Sequence, residues 1–246
     1  MFDYLANPAR FQRIAAVVTP LVWAGFVLTL IPGLYFAFLS SPADYQQGET
    51  VRIMYIHVPA AWMALFGYTA MAVMGIFTLV WKHPLADIAA RSMALPGAAF
   101  ALICLITGSL WGRPMWGTYW VWDARLTSML ILFFLYVGYM ILVDSFDRDD
   151  RGGKSGAVLL IIGAINIPII KFSVDWWNTL HQGASVFRIG GPLIDSTMLT
   201  PLALMAFAAL FWFVGMTLMR MKTMLNERRI AAMTAKSLRN HAKDNA

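Results

Sequence analysis

The sequence predicts an all-α integral membrane protein with six transmembrane helices and both termini in the cytoplasm, and three observations predict it. Hydrophobic residues make up 59% of the 246 residues and charged residues only 13%, against about 25% charged in a soluble domain. Six apolar runs each approach the roughly 20 residues with which a helix crosses a bilayer. Basic residues are distributed unequally between the segments that connect these runs.

The predicted spans follow one another through short connections. Their bounds are 17–39, 58–81, 92–110, 127–143, 157–174 and 199–219. The first apolar run is longer than the roughly 7–15 residues of a signal-peptide core and no small-x-small cleavage site follows it, so we expect it to be retained as a span. No internal repeat or second domain is evident, and residues 1–246 are expected to form a single six-helix membrane domain.

The orientation follows from the positive-inside rule. One set of connecting segments, together with the basic tail 220–246, carries fourteen of the nineteen Lys and Arg residues, and the other set carries five. We therefore expect the first set to be cytoplasmic. The outer loops are then 40–57, 111–126 and 171–198.

The second outer loop, WGRPMWGTYWVWDARL at 111–126, concentrates aromatic surface. Four of the ten tryptophans fall here: Trp111, Trp116, Trp120 and Trp122. Isolated interfacial tryptophans usually belong to a membrane belt, but these four fall within twelve residues. Gly117, which lies among them, permits unusual backbone turns. A loop that folds around a large, flat, apolar ligand explains the cluster better than a belt. The third outer loop adds the pair Trp176 and Trp177.

Two of the four histidines, His57 and His181, lie in the first and third outer loops and are expected at the same membrane depth. Two imidazoles on either side of an aromatic cluster describe axial ligation of a haem iron. Zinc is the competing metal, but it needs a third or fourth ligand, which only outer acidic residues such as Asp123 supply. The single cysteine, Cys104, lies inside an apolar run.

Charged outer residues suit the edge of such a ligand, because haem carries two propionates that pair with cations. The candidate propionate partners are Arg125, Arg113, Arg52 and Arg188. Asp123 is expected to orient an indole or histidine N–H, or to pair with Arg125, rather than to bind the metal. The inner segment RDDRGGKSG has Arg148 where a phosphate-binding loop requires glycine, so the chain is not expected to hydrolyse ATP.

These motifs resemble the haem-handling (WWD-motif) membrane proteins of cytochrome c biogenesis, and among them the haem exporter protein C (CcmC) family of the system I pathway. The likeness runs from ADYQQG at 43–48 to the sixth span, and includes YIHVPAAW, GRPMWGTYWVWDARLTS and DWWNTLHQG. The resemblance implies that haem b is held transiently as cargo at the periplasmic face of the bacterial inner membrane. It assigns His57 and His181 as axial ligands and the Trp-rich loop as the haem platform and chaperone contact.

The resemblance also implies a transfer subunit and not an enzyme. Such proteins deliver haem to the periplasmic chaperone CcmE beside the ABC transporter subunits CcmA and CcmB and the small membrane protein CcmD, and the ATP hydrolysis belongs to a partner. Two alternatives remain open. One is a cytochrome c haem lyase or synthetase subunit of the same superfamily, although no histidine lies within a predicted span here. The other is a non-haem membrane scaffold subunit with an ordinary aromatic belt.

Overall fold

The computed structural model describes residues 6–146, 149–181, 183, 185–186 and 190–244. Within these residues the regular structure is helical, apart from one isolated bridge between Asp44 and Gly48. The helices are α1 (Pro8–Tyr35), α2 (Met54–Val80), α3 (Ala86–Trp116), α4 (Ala124–Asp144), α5 (Asp149–Gly163), α6 (Asn166–Trp176) and α7 (Ser196–Asp244). A π-helical turn, Phe36–Ser40, continues α1, and a 3-10 turn, Glu49–Ile53, leads into α2.

Six helical segments are long and apolar enough to cross a membrane, which confirms the prediction of an all-α protein with six spans. They are Pro8–Ser40, Glu49–Val80, Ala86–Trp116, Ala124–Asp144, Asp150–Trp176 and Ser196–Leu238. Most extend beyond the predicted bounds at both ends, because helical hydrogen bonding continues through polar and interfacial residues that a hydropathy pattern excludes. The predicted basic tail is part of this continuation, since α7 remains helical to Asp244.

Two helix ends shorten the predicted Trp-rich loop. Gly117 ends α3 with a φ of 79°, a left-handed conformation that glycine adopts without a steric penalty. Asp123 begins α4, because its Oδ1 accepts a hydrogen bond from the Leu126 backbone N–H at 2.8 Å. The non-helical connection is therefore 117–123, and the prediction of a loop over 111–126 is wrong at both ends.

The fifth span is broken in its middle, where the sequence predicts one continuous span over 157–174. Turn residues 164 and 165 separate α5 from α6. Pro168 explains the break, because in a continuous helix its ring would clash with the carbonyl of Ala164 and its missing N–H would leave that carbonyl without a donor. The buried Asn166 stabilises the broken geometry by donating from Nδ2 to the Ser128 carbonyl at 2.8 Å.

The packing of the spans leaves a gap at one end of the bundle. Helices α2, α3 and α4 surround a core in which the rings of Tyr68 and Tyr136 meet edge to face, with centroids 5.2 Å apart. Helix α1 packs mainly against α7. Helix α5 packs against both α2 and α4, whereas α6 keeps its contact with α4 and diverges from α2. The divergence opens space between the start of α2 and the end of α6.

The other end of the bundle is closed by charge pairs. Asp87 of α3 accepts hydrogen bonds from Arg91 at 3.1 Å and from Arg228 of α7 at 3.4 Å. A Cβ atom on Gly153 of α5 would lie 2.7 Å from Asp87 Oδ1, so three helices meet closely at this carboxylate. This end carries the basic residues that the sequence places in the cytoplasm.

Candidate functional site

A cavity of about 290 Å³ lies in the gap between α2, α3, α4 and α6, near the lower limit of the volumes of small-molecule sites. A second cavity of about 120 Å³ adjoins it beside the end of α3. His57 and His181 line both cavities. The structure therefore brings together the two histidines that the sequence singles out.

His57 is held by α3 through one nitrogen of its ring. It lies in the first turns of α2 and not in the predicted loop over 40–57, because the helix begins at Met54. Its Nδ1 is 3.1 Å from the Cys104 carbonyl and 3.1 Å from Thr107 Oγ1. The Thr107 hydroxyl donates to the Ile103 carbonyl at 2.7 Å, so both neighbours of Nδ1 act as acceptors. Nδ1 therefore carries the proton, and Nε2 keeps the lone pair with which a histidine binds a metal.

Gly108 provides the space for this imidazole. A Cβ atom at this position would lie 3.0 Å from His57 Cε1, closer than an ordinary van der Waals contact. Gly108 lines both cavities. The ring of Trp111, one helical turn further along α3, meets the imidazole edge to face at 5.7 Å.

His181 is partly buried beside a carboxylate, and its buried ring Nδ1 is not hydrogen bonded. Asp123 Oδ2 lies 3.6 Å from Nδ1, which is within ion-pair range and beyond a hydrogen bond. Burial, together with the nearby charge of Arg125, lowers the pKa of His181 from its ordinary 6.5 against the opposing effect of Asp123. The imidazole is therefore neutral at pH 7, as a metal ligand must be.

The aromatic neighbour of His181 is Trp116, with ring centroids 4.8 Å apart. Trp177 and His181 are four residues apart and would be neighbours on a helix, but α6 ends at Trp176. Trp176 and Trp177 are half exposed and stand outside the residues that line the two cavities.

The four clustered tryptophans divide into two groups. Trp111 and Trp116 lie on α3, and Trp120 lies in the connection to α4; all three line a cavity. The Trp111 indole donates to Gln47 Oε1 at 2.8 Å, whereas the Trp120 indole N–H is buried without a hydrogen-bond partner among the described residues. Trp122 is 76% exposed, and its ring meets that of Trp120 edge to face at 5.5 Å.

Arg125 is the arginine that the structure places at the cavity wall. Its Nε donates to Ser173 Oγ at 3.2 Å and its Nη2 to the Lys171 carbonyl at 3.3 Å, which fixes the guanidinium between α4 and α6. Arg113 donates to the Gly117 carbonyl and lies over the Tyr119 ring. Arg52 pairs with Glu49 and donates to the Ala37 carbonyl at 2.9 Å.

Neither Arg113 nor Arg52 is among the residues that line the cavities. Arg188 lies outside the described residues. Of the alternative roles expected for Asp123, the structure favours the one beside a histidine, because Asp123 holds Leu126 and Thr179 and faces His181.

Two cavity residues have no counterpart in the sequence-based prediction. They are Trp62 and Gly108. Trp62 was detectable, because Val58, Ala61, Trp62 and Leu65 follow His57 at helical spacing on one face of α2. Detecting Gly108 requires the packing of α2 on α3, which a single sequence does not give.

The candidate metal ligands in this cavity are the imidazoles of His57 and His181. Among the described residues, no group of three or more His, Cys, Asp or Glu side chains is arranged to hold a metal ion. Zinc sites use three or four protein ligands, whereas a haem iron already has four porphyrin nitrogens and takes two axial ligands. The fold and site define a multi-span membrane protein with an aromatic, two-histidine cavity at one end of its helices.

Comparison with known proteins identifies the family. The family model described as heme exporter protein C (CcmC) matches residues 1–236, and the chain belongs to this family. Heme exporter protein C of Bradyrhizobium diazoefficiens is 54% identical over 229 residues, which cover 93% of this chain and 87% of that protein. Those of Escherichia coli K12 and Paracoccus denitrificans are 45% and 40% identical, over 90% and 95% of this chain and 89% and 97% of those proteins.

Proposed function

We propose that the protein binds haem b as a transient cargo between His57 and His181 and delivers it to the haem chaperone CcmE during cytochrome c biogenesis. The observation that carries the proposal is the cavity that both histidines line, within a chain of the CcmC family. The family relatives are named as heme exporters, which supports a transfer role and not an enzymatic one.

The residues present suit a porphyrin. A haem is broad, flat and apolar, and the cavity offers Trp62, Trp111 and Trp120 as aromatic walls. Its propionates are anionic, and Arg125 is fixed at the wall. When bound, the haem iron would be held by His57, from the first turns of α2, and by His181, from the non-helical segment that follows α6. Gly108 leaves the room that the His57 imidazole needs.

The proposal places this cavity at the periplasmic face of the bacterial inner membrane, with both termini in the cytoplasm. The support is the basic-residue asymmetry, because the cavity lies at the end of the bundle opposite Asp87, Arg91 and Arg228. ATP hydrolysis falls to a partner, in a complex with the ABC transporter subunits CcmA and CcmB and the small protein CcmD.

The acceptor surface in this proposal is the exposed part of the Trp-rich segment. Trp122 and Tyr119 are 76% and 57% exposed beside the cavity wall formed by Trp120. Exposed apolar patches next to a ligand site are typical of protein contact surfaces. Haem then passes to CcmE without release to water.

The test is the visible absorption spectrum of purified His57→Ala and His181→Ala proteins. Each change opens an axial position, so we expect loss of the low-spin bands or of the haem, and loss of CcmE loading. Added imidazole should partly restore the low-spin spectrum, because it fills the vacant position. His83→Ala is the matched control, since His83 lies at the opposite end of the bundle and should not affect the spectrum.

Full haem content and an unchanged spectrum in both histidine variants would place the ligands elsewhere. A wild-type protein purified without any haem absorption would favour the scaffold alternative.

A further inference from the structure

We propose that the two imidazoles are unequal iron ligands: Asp123 makes His181 the stronger ligand, and His57 is the one that leaves the iron first. This inference rests on the proposed haem function and deepens it, because it assigns an order to the release of the cargo. It also makes Asp123 and Thr179 positioning residues for His181.

The acceptors behind His57 are neutral. Its Nδ1–H meets the Cys104 backbone carbonyl and the Thr107 hydroxyl, both at 3.1 Å. A neutral acceptor fixes the orientation of the ring but polarises the Nδ1–H bond only weakly. The imidazole then remains an ordinary neutral donor toward a metal.

The group behind His181 is a carboxylate that is held in place from two sides. Asp123 Oδ1 accepts from the Leu126 N–H and caps α4. Asp123 Oδ2 accepts from the Thr179 hydroxyl, and Thr179 Oγ1 in turn accepts from the His181 backbone N–H at 3.1 Å. Thr179 therefore links the carboxylate to the residue whose ring it faces.

The ring nitrogen nearest this carboxylate is unsatisfied in the structure. His181 Nδ1 is buried, has no hydrogen-bond partner among the described residues and lies 3.6 Å from Oδ2. A displacement of about 0.5 Å brings Nδ1–H within hydrogen-bond range of Oδ2. Iron binding at Nε2 requires the proton on Nδ1, so ligation and this hydrogen bond favour each other.

A hydrogen bond from Nδ1–H to a carboxylate increases the electron density on the imidazole and makes it a more basic ligand. A more basic axial ligand stabilises ferric iron relative to ferrous iron. The bond from iron to His181 is then stronger than the bond to His57. An acceptor that needs an open axial position obtains it where the weaker ligand, His57, dissociates, while His181 retains the haem.

The first experiment measures the haem reduction potential of the purified Asp123→Asn protein. Asparagine is an equally good helix cap through Oδ1, and its Nδ2 amide donates to Thr179 Oγ1 in place of accepting from it. The change therefore keeps the cap of α4 and removes both the charge and the acceptor that face His181. We expect haem affinity to fall about 10- to 100-fold. Each tenfold loss in ferric relative to ferrous affinity raises the potential by about 59 mV.

Thr107→Val is the matched change behind His57. It should move the potential less, because the Cys104 carbonyl still accepts from Nδ1. An Asp123→Asn protein that keeps a bis-histidine spectrum and the wild-type potential would overturn the inference and leave the proposed function intact.

The second experiment compares His57→Gly with His181→Gly and does not depend on the folding of the Asp123 variant. His57→Gly should retain more haem, bound through His181 alone, and should take up added imidazole. His181→Gly should lose most of its haem. Greater retention in His181→Gly would reverse the order and overturn the proposal. Equal, full retention in both would instead overturn the proposed function, because neither histidine would then bind the iron.

Discussion

The substitution Gly108→Ala should lower haem affinity without lowering protein stability. Alanine is about 1 kcal/mol more favourable than glycine inside a helix, so the change should maintain or raise the free energy of unfolding. The added Cβ atom would lie 3.0 Å from His57 Cε1, which is 0.4 Å short of the 3.4 Å at which ordinary contact begins. The imidazole would therefore have to move by nearly the roughly 0.5 Å within which a functional site must position its side chains.

The magnitude follows from the hydrogen bonds that fix His57. If the imidazole moves enough to lose one of its two Nδ1 contacts, the cost is about 0.5–1.5 kcal/mol. That corresponds to a roughly two- to tenfold loss of haem affinity. A haem titration of detergent-purified protein, followed by visible absorption, measures the affinity, and thermal unfolding of the same sample measures stability.

Gly138→Ala on α4 is the matched control, since a Cβ atom there meets nothing within 4 Å. It should give the same gain in helix stability with unchanged haem affinity. The reasoning is refuted if Gly108→Ala binds haem as tightly as Gly138→Ala, with the same spectrum and stability.

Three further predictions concern orientation, the tryptophans and the far end of the bundle. Reporter fusions after positions 48 and 190 should behave as periplasmic and those after 86, 152 and 235 as cytoplasmic; a cytoplasmic signal at 48 or 190 would remove the common outer face of the site. Trp120→Ala should lower haem retention, because Trp120 lines the cavity, whereas Trp122→Ala should keep the haem and weaken co-purification of CcmE; equal haem loss in both would contradict this division. Asp87→Ala should lower the free energy of unfolding by about 1–3 kcal/mol, because it removes the carboxylate that accepts from Arg91 and Arg228. The haem spectrum should not change, and its loss would show that the two ends of the helix bundle are coupled.

Hydropathy was sufficient to predict the number of spans, because each of the six is strongly apolar on average over the length that crosses a bilayer. The residues at the centre of the site, His57 and His181, were also identifiable, since both lie near the ends of spans on the same predicted side. Histidines are few in this chain, since it has four and two of them lie in such positions. The occurrence of two histidines near span ends on the same predicted side therefore indicates a shared site without any knowledge of the helix packing.

Helix ends limited the rest of the prediction. Tryptophan and arginine near an interface are compatible with either helix or loop, so hydropathy stops before the helix does. The local signals were present in the sequence: Gly117 is a typical residue just beyond a helix, and Asp123 is a typical first cap. Used together, they restrict the loop to 117–123 and place Trp111 and Trp116 on α3.

The location of the cavity depends on the break in the fifth span, and this connects local sequence to the site. Backbone groups that leave the helical pattern within a membrane must find partners in the protein. At the break, turn hydrogen bonds supply them, such as the one from the Ile167 N–H to the Ala164 carbonyl at 3.1 Å. The break lets α6 follow α4 while α5 stays on α2. The cavity therefore lies between helices, below the outer loops, where Trp62 and Ile170 line its wall. In the proposed function, a haem bound there would contact the helices that line this cavity, and the exposed aromatic residues beside it would remain available for the acceptor.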